Sequence, residues 1–401
     1  MNVLFLNNGR FAPVQSHTLY SDLMREFQKH GHSVYVVSAN EKRFESVPEL
    51  YEDNGIKCVC MRIGNLTKCS LPEKAITMMT ISQKYISGIK KYYSDIHFDL
   101  ILYPTPPISF LGAVEHVKKK DNAKTYLLLK DIFPQNAVDI GIMSKIGMKG
   151  LIYKHYRKQE KRLYRISDFI GCMSQANVDY VLKHNPEIRP EKVEVCPNCL
   201  DIRDMSVDAV IRRQIREKYG IPENKKVFVY GGNLGKPQGI PFLIECLKKS
   251  ESISDAFFLI IGDGTEYGLL EDYVNTDKPS NVKLMKRLPK EDYDSMVGAC
   301  DVGLIFLDHR FTIPNFPSRF LAYMQAKLPV LAATDPNTDI GKVIVDGEFG
   351  WWCESNDSGR FVDEIKKIIK ADLDAVRERE YQYLLDHYTV DNAYKTIMRH
   401  F

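Results

Sequence analysis

The sequence predicts an α/β protein built from two doubly wound parallel-sheet units. Three observations carry this. The chain has 401 residues, which favours two or three domains over one. Short apolar runs of strand length recur between helical stretches from Val3 to Ala333. Those runs are continuous rather than alternating, as strands covered on both faces require.

Taken in order, Val3 to Leu6 is the first buried strand, and a helix follows from about Leu19 to Lys29. Gly31-His32 closes that helix, and SVYVVS (Ser33 to Ser38) is the next strand. LILY from Leu100, TYLLL from Thr125 and FIGCM from Phe169 continue the series. Near Pro197 the composition turns polar, and PNCLDIRDMSVDAVIRRQIREKYGIPENKK reads as an interdomain connection carrying a helix. A second βαβ series then begins with VFVY at Val227 and FFLII at Phe257. Val282 to Met285, Val302 to Phe306 and Val330 to Ala333 complete it. Parallel α/β sheets bind ligands at the carboxyl ends of their strands, so two facing units are expected to set a cleft between them.

Composition narrows the function. A hydrophobic content of 44% and a charged content of 27% are ordinary for a soluble globular protein. A net charge of +3 argues against a dedicated nucleic-acid binder. Nine scattered cysteines, an odd number, fit a reducing compartment. Cys196-Pro-Asn-Cys199 has the spacing of a redox pair or half a zinc site, but no second pair follows, and it succeeds a strand instead of opening a helix. The first residues show no basic leader, and no run approaches the ~20 apolar residues that span a bilayer. The expected location is the cytoplasm, with any membrane contact peripheral.

Several stretches have the look of a site. In NFPSRFLAYMQAKLPV, Asn315 to Val330, Ser318 is a good N-cap and Phe320, Leu321 and Met324 give a helical apolar face. A helix whose first turn carries Ser318 and Arg319 can hold an anion. YGGNLGKPQG, from Tyr230 to Gly239, joins a strand to a helix and suits phosphate binding through backbone N–H groups, or is a glycine-rich turn needed for packing. It is neither a Walker A loop nor G-x-G-x-x-G. Asp263 of the IGDGT turn could bond ribose hydroxyls or cap the next helix. Asp131 of KDIFPQN ends a strand and is either a general base or a turn residue. Lys145 to Arg165 holds eight Lys/Arg against one Glu, with Ile152, Tyr156 and Leu163 roughly on one face. It reads as a basic amphipathic helix for anionic lipid, or as a solvated helix packed on its own sheet.

Together these pieces resemble glycosyltransferase family 4, of the GT-B fold, over nearly the whole chain. The resemblance rests on GHSVYVVS at Gly31, PNCLD at Pro197, YGGNLGKPQG, IIGDG, Leu288-Pro289, ACDVGLIF, FPSRFLAYMQAKLPV and GEFGWW, in the family's order. KDIFPQNAVDIG and the basic helix further resemble the branch that builds capsule, O-antigen and exopolysaccharide on lipid-linked acceptors. The resemblance implies an N-terminal acceptor-side domain over 1–200, completed by a C-terminal helix at about 386–401. It implies a nucleotide-sugar domain over 201–385. The reaction implied is metal-free, retaining transfer from a nucleotide-diphosphate sugar, UDP-linked, with no cofactor.

Site residues follow from the same resemblance. Lys236, Arg319 and Ser318, with the N–H groups near Gly231 and Gly232, would hold the donor diphosphate. Asn233, Gln238, Asp263, Gly264 and Asn315 would line the donor site, and Arg287 and Leu288 would contact the base. Gly9, Gln15, Ser16, His17 and Lys130 form an acceptor-side loop set, and Asp131 is the candidate base. Where the family carries a Glu-x7-Glu pair, this chain has Pro314 and Ala322. Gln15 and Ser16 replace paired glycines, and Lys327 replaces a glycine at the helix end. Ribose and sugar must therefore be recognised by other groups, with Asn315 and Gln325 the nearest polar side chains. Two other functions stand against transfer: a sugar 2-epimerase, which needs acid/base carboxylates in the cleft, and a non-catalytic nucleotide-sugar-binding partner.

Overall fold

The computed structural model describes residues 1–66 and 69–401, which divide into two units. Unit 1 comprises Met1–Asp201 with Thr389–Phe401, and unit 2 comprises Ile202–Tyr388.

Unit 1 is an eight-stranded sheet of β1 (Asn2–Leu6), β2 (Ser33–Glu41), β3 (Leu50–Asp53), β4 (Ile56–Ile63), β5 (Leu100–Thr105), β6 (Lys124–Leu129), β7 (Phe169–Cys172) and β8 (Val193–Val195). Their order is β3-β4-β2-β1-β5-β6-β7-β8, and every pairing is parallel except β3 with β4. That antiparallel pair turns through Asn54 and Gly55 at φ 47° and 82°, the left-handed pair that an Asn-Gly hairpin supplies. The continuous apolar runs have a direct cause. Leu4 and Leu6 join the core on one face of the sheet with Tyr35 and Val37, while Val3 and Phe5 join the core on the other face with Val34 and Val36. Helix Leu19–Lys29 covers the second face through Leu23, Met24 and Phe27. The C-terminal helix Val390–Met398 adds Val390, Ala393 and Ile397 to the same core.

Unit 2 is a six-stranded, wholly parallel sheet: β9 (Lys226–Asn233), β10 (Ala256–Asp263), β11 (Val282–Met285), β12 (Val302–Phe306), β13 (Val330–Thr334) and β14 (Gly350–Glu354). The order β11-β10-β9-β12-β13-β14 reverses direction between β9 and β12. Such a reversal opens a crevice at the carboxyl ends of the strands on either side of it. Helix Ala209–Lys218 follows the connection and is capped by Asp208, which accepts from the Ile211 N–H at 2.8 Å. Arg216 on this helix is fully buried and donates to Asp301 at 2.8 Å and to the Ala299 carbonyl at 2.9 Å.

The basic segment forms helix Gly147–Ile166. Leu163 is buried, but Ile152 is 51% exposed, so the expected single apolar face splits in two. Met148, Leu151 and Ile152 point outward at helical spacing, with exposed Ile142 and Ile146 just before them. Among the described residues, no helix is long and apolar enough to cross a membrane.

Candidate active site

The carboxyl ends of β9 and β12 carry the densest set of candidate residues. Arg319, at the start of helix Arg319–Gln325, lays its guanidinium 4.3 Å from the centroid of the Tyr230 ring. Its Nη1 is buried with no hydrogen-bond partner. Beneath it, the Tyr323 hydroxyl accepts from the Gly231 N–H at 3.2 Å and lies 3.2 Å from the Val229 carbonyl and 3.3 Å from that of Leu304. This phenol therefore ties β9 to β12 at the reversal point. Burial raises the pKa of both the Tyr230 and Tyr323 phenols. Glycine is required at 231 by close approach: a Cβ there would sit 1.9 Å from the Tyr293 hydroxyl oxygen. At Gly232, with φ +126°, a Cβ would stand 3.4 Å from Arg319 Nη2.

Several backbone N–H groups of the glycine-rich loop already have partners within the protein. The N–H of Gly231 is taken by Tyr323, that of Leu234 by the Asp263 carbonyl at 3.0 Å, and that of Gly235 by Gln238 Oε1 at 3.3 Å. Asn233 donates to the same Gln238 oxygen at 2.8 Å, so Asn233 and Gln238 brace the loop. Lys236 is exposed, in the turn Lys236–Gln238. Asp263 accepts from the Gly264 N–H at 2.9 Å, the turn-forming role, with its side chain still exposed. Arg287 is exposed and Leu288 half-buried beyond β11.

Ser318 does not cap. Its backbone is already helical, at φ −62° and ψ −22°, rather than extended as a capping residue's is, and its hydroxyl makes no cap bond. Asn315 is anchored through its N–H to Thr338 Oγ1 at 3.0 Å, and Thr338 Oγ1 bonds Asp335 at 2.9 Å. The Asn315 amide Nδ2 is buried without a partner. Gln325 is buried and committed to the connection, accepting from the Arg203 N–H at 3.3 Å, so it does not replace a ribose ligand. Lys327 explains itself: its φ is +52°, the left-handed geometry at which helices end and glycine is favoured. Its ammonium lies 4.4 Å from the Tyr381 ring centroid, a cation–π contact that offsets the strain.

The acceptor-side candidates belong to unit 1. Asp131 accepts from the Ile132 N–H at 2.8 Å and from Asn136 Nδ2 at 2.6 Å. Burial pushes its carboxyl up to about 6 against those bonds. Lys130 Nζ lies 3.5 Å from the Cys196 carbonyl, in a small space also lined by Tyr20 and Cys199, and burial lowers its pKa. Cys196 and Cys199 are buried free thiols pushed up by burial, Cys199 to about 12, which makes them poor nucleophiles. Gly9 takes φ +104°, and its carbonyl accepts from Ala39 at 3.1 Å. Ser16 bonds the Pro13 carbonyl, and Gln15 lines a pocket with Arg25. His17 stands 3.6 Å from Asp22 and 3.2 Å from Arg25, which itself bonds Asp22 at 2.6 Å and Asp201 at 3.1 Å.

The tyrosines at 293 and 323 were not singled out from the sequence, since a tyrosine among apolar helix residues gives no sign of which strand it will reach. The buried Asp335, pushed up to about 6 and held by Thr338 and Asn337, was missed as well.

Known proteins resemble this chain in sequence and fold. Residues 211–384 match the family model described as glycosyl transferases group 1. A probable glycosyltransferase, WbjE of Pseudomonas aeruginosa, is 25% identical over 79% of this chain and 78% of its own. An Escherichia coli protein named UDP-Gal:alpha-D-GlcNAc-diphosphoundecaprenol alpha-1,3-galactosyltransferase is 25% identical over 45% of this chain and 46% of its own. Among solved structures, Anabaena HepE in complex with UDP superposes with a TM-score of 0.70 at 15% identity, covering 100% of this chain and 99% of that one. With two parallel α/β units of the GT-B fold and a glycosyl transferases group 1 domain over residues 211–384, the chain is a glycosyltransferase.

Proposed function

We propose that the chain transfers a sugar from a uridine diphosphate donor, with retained anomeric configuration and no metal ion in the reaction, to a lipid-linked or oligosaccharide acceptor of bacterial surface polysaccharide. The observation that carries this is Arg319, a cation stacked on Tyr230 at the strand ends with a buried Nη1 that lacks an acceptor. A diphosphate leaving group gains negative charge as the glycosidic bond breaks, and fixed donors aimed at that charge lower the barrier. Arg319 supplies one such donor and Lys236 a second, more mobile one. With the loop amides at 231, 234 and 235 already bonded, these two side chains are the principal charged donors. Asn315 offers a donor to the sugar or ribose in place of the absent glutamates. Asp131 takes the acceptor proton.

The uridine and lipid-linked assignments are supported by the UDP complex of HepE and by the name of the E. coli galactosyltransferase. A bilayer-facing role is supported by the exposed Ile146, Met148 and Leu151 beside Lys145, Lys149 and Lys154, an apolar and basic combination suited to anionic lipid. The test is donor-dependent product formation in EDTA with a membrane-extracted acceptor pool. Product is expected in EDTA, and Lys236→Ala and Arg319→Ala should each lower kcat by ~10²–10³, the scale of losing one transition-state donor. Near-wild-type turnover in both variants overturns the site assignment. Solvent deuterium entering the sugar ring of donor alone would instead indicate epimerase chemistry.

A further inference from the structure

A second cluster stands in unit 1, where its first and last helices meet. Glu26 lies in the last turn of helix Leu19–Lys29, and His30 is the C-cap residue, four positions on and therefore on the same side. Asp391 lies in the first turn of helix Val390–Met398. One ligand-capable atom from each of the three falls within 4.8 Å of the others, and His30 Nε2 is 3.1 Å from Glu26 Oε1.

We propose that Glu26, His30 and Asp391 bind a divalent transition metal, zinc being the best match, which clips the C-terminal helix to helix Leu19–Lys29. One imidazole nitrogen and two carboxylate oxygens are hard-to-borderline donors of the kind zinc takes in three-ligand sites, with water in the fourth position. Ligand atoms ~2.0–2.2 Å from a tetrahedral ion stand roughly 3.5 Å apart, so shifts of about an ångström close the site. The imidazole is oriented in advance. It stacks on the Tyr394 ring at 3.9 Å and 11°, and the Tyr394 hydroxyl is held 2.9 Å from the His32 ring nitrogen. The stacked tyrosine ring restricts rotation of the His30 imidazole.

The local field already collects cations. Glu26, only 6% exposed, draws Lys29 to 3.3 Å as well as His30, and Asp391 draws Lys395 to 2.7 Å. The carboxyl end of the helix adds partial negative charge at the same place. The two lysine side chains are 72% and 70% exposed, so each can swing into water as an ion enters. A pocket of about 420 Å³ lies beside this corner, bordered by Glu26, Lys29 and Val390.

The test uses the untagged full chain, stripped with EDTA and titrated with ZnCl2, with no nucleotide present. One equivalent is expected to bind and to raise Tm. His30→Gln and Asp391→Asn should each abolish both effects while keeping the metal-free Tm of the parent. Co²⁺ should give a visible absorption band that both variants lose. No Tm rise at excess zinc, or full binding in both variants, overturns the proposal, the second result placing the ion elsewhere in the chain. Because donor residues belong to unit 2, unchanged UDP binding in these variants separates this inference from the proposed function.

Discussion

Replacing Arg319 by Met keeps most of the side-chain stem and removes the guanidinium. Two opposing terms follow for the donor-free protein. The stack on Tyr230 at 4.3 Å contributes about 0.5–2 kcal/mol. The buried Nη1 without an acceptor costs about 1–3 kcal/mol of desolvation, which the substitution removes. The two nearly cancel, so Arg319→Met should unfold within about 1 kcal/mol of the parent, a Tm change of no more than ~4 °C for a unit of this size. With donor the outcome differs. The Tm rise produced by UDP should vanish, and kcat should fall by ~10²–10³. Differential scanning fluorimetry with and without UDP, alongside a turnover assay, reads both. If Arg319→Met destabilises the donor-free protein by more than about 2 kcal/mol and leaves the UDP shift intact, Arg319 is a packing residue and the reasoning fails.

Four other outcomes are expected. With Asp131 raised to about 6, kcat/KM should climb through pH 6 as the carboxyl ionises, and Asp131→Asn should remove that limb; an unchanged profile in the variant rules Asp131 out as the base. Met148→Asp with Leu151→Asp should reduce flotation with anionic vesicles without altering Tm, since both side chains are exposed, at 85% and 69%. Glu380 is fully buried with both carboxylate oxygens unpartnered, and burial raises its pKa well above the usual range. The folded state then holds a proton that the unfolded state releases, so stability is full below the unfolded pKa and is lost, at up to about 1.4 kcal/mol per pH unit, as pH rises toward the folded pKa. Glu380→Gln should flatten that slope in urea titrations just above pH 5, and an equal slope in both proteins would contradict the assignment. At the left-handed Lys327, Gly should be more stable than Lys by roughly 0.5 kcal/mol and Ala less stable, the reverse order counting against strain at this position.

How far the sequence could be read depended on the range of the interaction behind each feature. The strands at Val3, Val227 and Val302 were legible because burial on both faces leaves a continuous apolar run in the chain itself. The β3–β4 hairpin turns at Asn54-Gly55, a local signal, but β3 is only four residues, LYED, too short and polar to stand out as a strand. The helix at Arg319 was visible from its apolar spacing. Its supposed cap at Ser318 was not real, since capping depends on the backbone angle at which the preceding turn arrives. The glycine-rich loop had two readings from composition, and the partners of its N–H groups became visible only in the fold.

By itself, then, the sequence determined the layers: which residues lie inside, where strands alternate with helices, and that a cation follows Pro317 at a strand-to-helix junction. These are local patterns of hydrophobicity and backbone preference, written over a few residues. Tertiary structure alone decided that Tyr323 joins β9 to β12, that Tyr230 receives Arg319, that Asp131 is raised by burial, and that Glu26 and His30 meet Asp391. Each of these depends on groups far apart in the chain, and both a pKa and an unpartnered donor are properties of the surroundings that folding brings to a side chain.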